Sequence, residues 1–294
     1  MSKKDLTKQV AEWWNKNPFT FGIATSGDQV GRVDFSKMNL DYFNTIERKF
    51  RKHSAGGAQN EGMPLFSNLI DYAWLKGKKV LDIGVGSGFS MVAFIQGGAE
   101  VTGIDITDYA VRHAMCNLQC RSLQGTVVQM DAQQLAFPSN SFDFVNAWGC
   151  LMHVPDGQKA VAEIYRVLKP GGRFLIYLYN KNSLTFWFNF IFLRGILLGK
   201  LFYYGFDTDA LVRRYTDGIT VGGNPYTKVY TRKEAYALFN NAGFAAVESQ
   251  PVPFISAVDS WPMRQFPFFR YFPQTFKSYI ARKWSWALIV RGEK

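Results

Sequence analysis

Short apolar runs alternate with amphipathic stretches between Lys79 and Tyr179, and that alternation sets the first expectation. Val80, Leu81 and Ile83 read as a buried strand, followed by a glycine turn, a helix through Gln96, and a second strand, Glu100–Ile104, ending on Asp105. Asp108 is placed to cap a helix to about Cys120. Thr126–Met130 reads as a third strand ending on Asp131, and Phe142–Trp148 as a fourth, entered through the turn Pro138-Ser139-Asn140-Ser141. A helix from about Gln158 to Leu168 closes on Lys169-Pro170-Gly171-Gly172, and Gly172–Tyr179 is the fifth strand. Regular β-α alternation of this kind predicts an α/β fold, with a parallel sheet and helices on both faces.

The alternation stops at Lys181. Residues 181–230 show no clean period, and the next helix begins at the capping box Thr231-Arg232-Lys233-Glu234, running to about Asn241 and stopping at Gly243. Phe244–Pro251 reads as a sixth strand. A second irregular piece, about 252–284, is rich in proline and aromatic residues. Ser285–Arg291 is expected as the last strand, an edge partner to the sixth. Within the first irregular piece, Phe186–Phe206 is long enough to cross a bilayer, but Asn189, Arg194, Lys200, Gly195 and Gly199 interrupt it, which argues against a span. Phe186, Phe190, Leu193, Leu197 and Leu201 fit one helical face. The expected role is a cap helix closing an apolar acceptor pocket, or a dimer contact, with shallow peripheral membrane contact next.

The chemistry concentrates in the turn Asp82-Ile83-Gly84-Val85-Gly86-Ser87-Gly88 and in Asp105, seventeen residues after Gly88. Glycines let backbone approach a ligand closely, and the helix start offers free N–H groups. Asp105 falls where a ribose-binding carboxylate sits in nucleotide-binding α/β folds. A dinucleotide fingerprint fails here, because Phe89 stands where its third glycine belongs. Asp82 would repel a pyrophosphate but suits a cofactor carrying an ammonium and a sulfonium.

The acid, the three glycines and the downstream Asp105 resemble the first motif of the class I S-adenosylmethionine-dependent methyltransferases. The resemblance covers roughly Gly77–Tyr179, Thr231–Pro251 and Ser285–Arg291. It implies a Rossmann-like seven-stranded, mostly parallel sheet with an antiparallel final strand. It divides the chain into a helical lid (1–76), a cofactor-binding core (77–180), an inserted cap (181–230) and a completing segment (231–294) that holds the second insert. S-Adenosylmethionine is the implied cofactor. Asp82, Gly84, Gly86 and Gly88 would hold it, Asp105 and Ile106 would contact ribose and adenine, Asp131 and Ala132 the adenine amino edge, and Trp148 and Gly149 the methionine part.

His153 follows the fourth strand in Trp148-Gly149-Cys150-Leu151-Met152-His153. Neutral imidazole there suits a general base for an acceptor that loses a proton, although a packing or cofactor-lining role ranks slightly ahead. Trp14, beside Trp13 and Phe19, resembles the aromatic lid of related small-molecule enzymes. Asn224-Pro225-Tyr226-Thr227, with Tyr215 and Asp217 nearby, forms the most polar part of the insert. Tyr226 is a second catalytic candidate, and Tyr215, Asn224 and Tyr226 are candidate acceptor contacts. Cys116 and Cys120, four apart on a helix, lack further ligands at metal spacing, so no metal site is expected.

Composition bounds the partners. The chain has 294 residues, is 47% hydrophobic and carries a formal net charge of +11. That charge favours an acidic partner, yet no run of five cations occurs. The N-terminus lacks an apolar signal core and the three cysteines form no disulfide framework, which fits the cytoplasm. The leading expectation is a methyltransferase for a small, partly hydrophobic acceptor. The alternatives are a nucleic-acid methyltransferase, which the absence of an Asn/Asp-Pro-Pro-Tyr/Phe signature disfavours, and a non-catalytic cofactor-binding subunit.

Overall fold

A computed structural model describes residues 2–24, 30–53, 63–252 and 271–294. Seven strands form one sheet: β1 Lys79–Ile83, β2 Glu100–Asp105, β3 Thr126–Gln129, β4 Phe142–Trp148, β5 Leu168–Tyr179, β6 Ala245–Pro251 and β7 Ala287–Glu293, in the order β3-β2-β1-β4-β5-β7-β6. The first five pair in parallel, and β7 runs antiparallel to both β5 and β6. The central strands read as near-continuous apolar runs because helices cover them: Val80, Leu81, Val145, Ala147, Leu175 and Ile176 are all buried.

Three local expectations need correction. The last strand is not at an edge; β7 lies between β5 and β6, and β6 is the edge, which explains the exposure of most of its residues. Asp108 does not cap α5 (Asp108–Cys120); the Thr107 hydroxyl accepts from the Ala110 N–H at 3.2 Å, and Asp108 sits in the first turn. Lys169-Pro170-Gly171-Gly172 does not separate helix from strand. The run from Leu168 is already β5, and the four residues bulge out between the pairs Phe142–Leu168 and Phe144–Arg173. The capping box Thr231–Glu234 at the start of α9 (Arg232–Asn240) is present in both directions.

Order reverses at β1, whose neighbours β2 and β4 lead to opposite halves of the sheet. Ligands of open α/β sheets bind at such a switch point, outside the carboxyl ends of the strands. Two segments lie over that end. The N-terminal helix α1 (Lys3–Lys16) is fixed by its own capping box from Ser2 and by a Lys3–Asp156 ion pair of 2.9 Å. The insert contributes a π-helix, Thr185–Leu197, which packs Phe186 and Phe190 with Val212 and Val229 against Tyr179, Tyr215 and Trp286. Leu197 does not continue that face and is 65% exposed. The reason is the winding: π-helical bonding from i to i+5 makes positions four apart drift around the axis. The proline-rich stretch 253–270 within the second insert lies outside the described residues.

Candidate active site

The turn after β1 is held open by close backbone approach. Gly84 has φ +73°, and a Cβ there would lie 2.4 Å from the Cys150 Cβ, so β1 and the segment after β4 meet only through glycine. Gly88, φ +77°, opens α4 (Phe89–Gln96) and faces Ala114 of α5, where a Cβ would come within 3.1 Å. Asn117 locks the turn from below by donating to the Ser87 carbonyl at 2.7 Å.

A cavity of about 530 Å³ opens above this turn. Among its walls are Gly84, Gly86, Asp105, Ile106, Asp131, Ala132, Trp148 and Gly149, which the structure brings together. The Asp105 carboxylate caps the next segment through Thr107 (N at 3.0 Å, Oγ1 at 2.9 Å) and accepts from the Gly86 N–H at 3.3 Å. Burial raises its pKa above the ordinary carboxylate value, against the pull of those hydrogen bonds. Asp131 is bound on both oxygens by the Gln133 amide at 3.0 Å, and that amide also reaches Thr7 of α1 at 3.1 Å. Gln133 therefore ties α1 to the Asp131 side of the cavity, a link that sequence pattern gave no means of finding.

Two of the motif residues do not line the cavity. Gly88 serves the packing just described. Asp82 lies buried behind the turn, accepting from the Asn146 amide at 2.7 Å while its Oδ2 has no partner. Burial pushes its carboxyl up to about 7; the Asn146 hydrogen bond opposes this and Asp105 adds repulsion. A group with a raised acid pKa holds more protons folded than unfolded, so its contribution to stability is intact below the unfolded value and lost as pH rises through about 7. Thermal melts of the protein alone should fall over that window, by up to about 1.4 kcal/mol per pH unit. Asp82→Asn should flatten this slope; an identical slope in both proteins would show that other groups set it.

Opposite the glycine turn stands a buried polar cluster. His153 Nδ1 lies 3.0 Å from the Tyr226 carbonyl oxygen and Nε2 lies 3.5 Å from Asp217 Oδ2. The Tyr226 carbonyl can only accept, and Thr227, 3.2 Å from Nδ1, donates its own hydroxyl to Asn224, so both partners favour a proton on Nδ1; at 3.5 Å the Asp217 carboxylate stands beyond a close hydrogen bond to Nε2. Tyr179 donates its hydroxyl to the same carboxylate at 3.2 Å, and Trp14 covers the ring edge-on at 5.0 Å. Burial lowers the His153 pKa below 6.5, while Asp217 and the Tyr226 carbonyl raise it and only partly compensate. Burial thus favours the neutral ring, while the carboxylate is placed to steady the cation formed when the ring takes a proton.

Trp14 and Tyr215 line the cavity, the latter with the Arg194 guanidinium 4.3 Å above its ring. Asn224 and Tyr226 do not. Asn224 is buried in the insert, donating to Thr216 and accepting from Thr227. Tyr226 contributes its main-chain carbonyl rather than its phenol. Asp217, noted in the sequence beside Tyr215, lines the cavity too, and residues the motifs did not single out complete the walls: Gln133, Tyr177 and Tyr179. The two tyrosines alternate at the carboxyl end of β5 and so face the same side of the sheet, a signal present in the sequence. Cys116 and Cys120 both direct their thiols at the Met38 carbonyl, at 3.7 and 3.8 Å.

Comparison with known proteins agrees with this geometry. Residues 81–176 match the family described as "Methyltransferase domain". A ubiquinone biosynthesis O-methyltransferase of Pseudomonas aeruginosa is 37% identical over 127 residues, 42% of this chain and 55% of the relative. A sterol 24-C-methyltransferase of Gibberella zeae is 34% identical over 161 residues, 53% of this chain and 40% of the relative. The chain thus spans about half the length, or less, of these curated relatives. A solved S-adenosylmethionine-dependent methyltransferase of Methanosarcina mazei superposes with a TM-score of 0.52 at 21% identity, covering 79% of this chain and 99% of that one, which shows a shared fold. Residues 81–176 thus form a methyltransferase domain, and with its glycine turn, switch-point cavity and antiparallel seventh strand the chain shares the fold of S-adenosylmethionine-dependent methyltransferases.

Proposed function

We propose that this protein transfers a methyl group from S-adenosylmethionine to a small, partly apolar acceptor whose nucleophile loses a proton. The observation that carries this reading is a single cavity with the glycine turn and Asp105 on one side and the His153–Asp217 pair on the other. The residues fit the cofactor: Asp105 offers a carboxylate to ribose hydroxyls, Gly86 presents bare backbone to the cavity with no protein atom within 4 Å of its Cβ position, and Trp148 has an unpaired, buried indole N–H. Bound there, the cofactor supplies a methyl already activated by its sulfonium. The protein's part is positioning, exclusion of water and reception of a proton.

His153 Nε2 receives the acceptor's proton, and Asp217, held by the Tyr179 hydroxyl, stabilises the resulting imidazolium. Thr7, Val10 and Trp14 of α1 and Thr185, Asn189 and Phe190 of the insert roof the cavity, so residues 1–76 and 181–230 act as lid and cap. The aromatic roof, and relatives named for methylation of ubiquinone precursors and sterols, support an apolar acceptor. The three cysteines are free thiols, which fits a cytoplasmic enzyme.

Calorimetry with S-adenosylmethionine, S-adenosylhomocysteine and NAD tests the cofactor assignment directly. The first two should bind and NAD should not. Saturable NAD binding without binding of either sulfur compound would end this reading.

A further inference from the structure

The outer side of the cap is bare apolar surface. The π-helix Thr185–Leu197 and the short helix α7 (Lys200–Tyr203) form a hairpin through Gly199, whose φ is +65°. Leu201 closes the hairpin against Gly195, where a Cβ would come within 2.8 Å of the leucine side chain. That closure turns Ile196, Leu197, Leu198, Phe202, Tyr203 and Phe206 outward; Phe202 is 72% exposed, and its ring lies 5.0 Å from that of Phe206. The same π-helix presents Thr185, Asn189 and Phe190 to the cavity. Solvated proteins seldom leave this much contiguous apolar surface without a partner.

Charge selects the partner. Between Lys181 and Phe206 the chain has Lys181, Arg194 and Lys200 and no carboxylate, within a protein of net charge +11. The segment Tyr271–Trp284, which includes α10 (Gln274–Trp284), repeats the composition: Tyr271, Phe272, Phe276, Tyr279 and Trp284 are exposed, the exposed Lys283 stands beside Trp284, and the sequence of the segment holds no acid. The two segments are tied where the Asn180 amide donates to the Ser285 carbonyl at 2.8 Å. The nearest carboxylate, Asp207, is paired with Arg213 at 3.4 Å, so a second copy of the same face would set cations mainly against cations. Among the described residues no helix is long and apolar enough to cross a membrane.

We propose that this face docks on the surface of an anionic lipid bilayer, its aromatic side chains among the acyl-chain boundary and its lysines at the phosphates. Docking there sets the cap, and the cavity wall behind it, against the lipid phase. The proposal stands apart from the methyl-transfer reading and is tested without any assay of turnover.

The full chain is sedimented with vesicles of phosphatidylcholine alone and of phosphatidylcholine with phosphatidylglycerol, at low and high salt. The expected result is binding to the anionic vesicles that weakens as salt rises. Phe202→Ser with Phe206→Ser should lower partitioning about tenfold or more, since each serine removes an exposed ring from the bilayer contact. Both positions are exposed, so the melting temperature should stay at the parent value. Lys200→Glu should weaken binding to anionic vesicles alone. No binding to anionic vesicles at low salt would overturn the proposal, as would equal partitioning of the double variant and the parent. Self-association that the double variant abolishes would also overturn it, assigning the face to a second copy.

Discussion

Turnover should fall about 10²–10⁴-fold when His153 is replaced by alanine, with cofactor affinity nearly unchanged. The magnitude is that of a lost general base, and the selectivity follows from the ring's place. It stands against Asp217, Trp14 and the Tyr226 carbonyl, and those partners include neither Asp105 nor the glycine turn. Only the neutral ring can take a proton, so the rate should climb as pH rises through its pKa. Burial places that limb below the usual histidine value of 6.5. Asp217→Asn should move the limb lower still, because the carboxylate favours the charged ring. A His153→Ala enzyme with normal turnover and an unchanged pH profile would mean that positioning alone does the work, as it can for a sulfur or neutral amine acceptor.

The second large effect is on the cofactor side. Asp105→Ala should weaken binding of S-adenosylmethionine and S-adenosylhomocysteine by roughly 1–3 kcal/mol, the range for losing hydrogen bonds to a charged acceptor. Part of that loss comes from the protein itself, because Asp105 also accepts from Gly86, Thr107 N and Thr107 Oγ1 and so shapes the turn it faces. Asp105→Asn keeps the shape but not the charge, and should lie between the parent and the alanine variant. Burial raises the carboxyl pKa, so parental affinity should decline on acidification from a pH above the ordinary carboxylate range. Calorimetry showing equal affinity in parent and alanine variant would remove Asp105 from the site.

The glycine-turn half of the cavity was legible because it is local. Strand, glycine turn, helix and Asp105 lie within one stretch, and each residue type answers a steric or electrostatic demand that holds in any fold of this kind. Even there, a motif fixes position along the chain and not the direction of a side chain. Asp82 belongs to the motif yet turns away from the cavity toward Asn146, which no spacing could reveal. The half around His153 was less legible because it is assembled across long separations. His153, Asp217 and Tyr179 meet only when the insert folds back over β5, and the polar run Asn224–Tyr226 drew attention to side chains that stabilise the insert instead. The face expected over Phe186, Phe190, Leu193, Leu197 and Leu201 failed at Leu197 because an α-helical period was applied to a π-helix. The place of the last strand turned on pairing: an apolar run identifies a strand, but only the antiparallel registers with β5 and β6 show it to be interior.

That interior position bears on how the protein is made. Among the described residues strand β6 pairs with β7 alone, so after synthesis reaches Pro251 it waits until Ala287–Glu293 has been made. β5 likewise waits with one edge open, the backbone groups of the apolar run Phe174–Leu178 unpaired along it. A growing chain therefore carries an unfinished sheet edge through nearly all of its synthesis after the insert. During that interval the nascent protein is most in need of a chaperone and most exposed to aggregation, and a stop codon anywhere before residue 287 fixes it there.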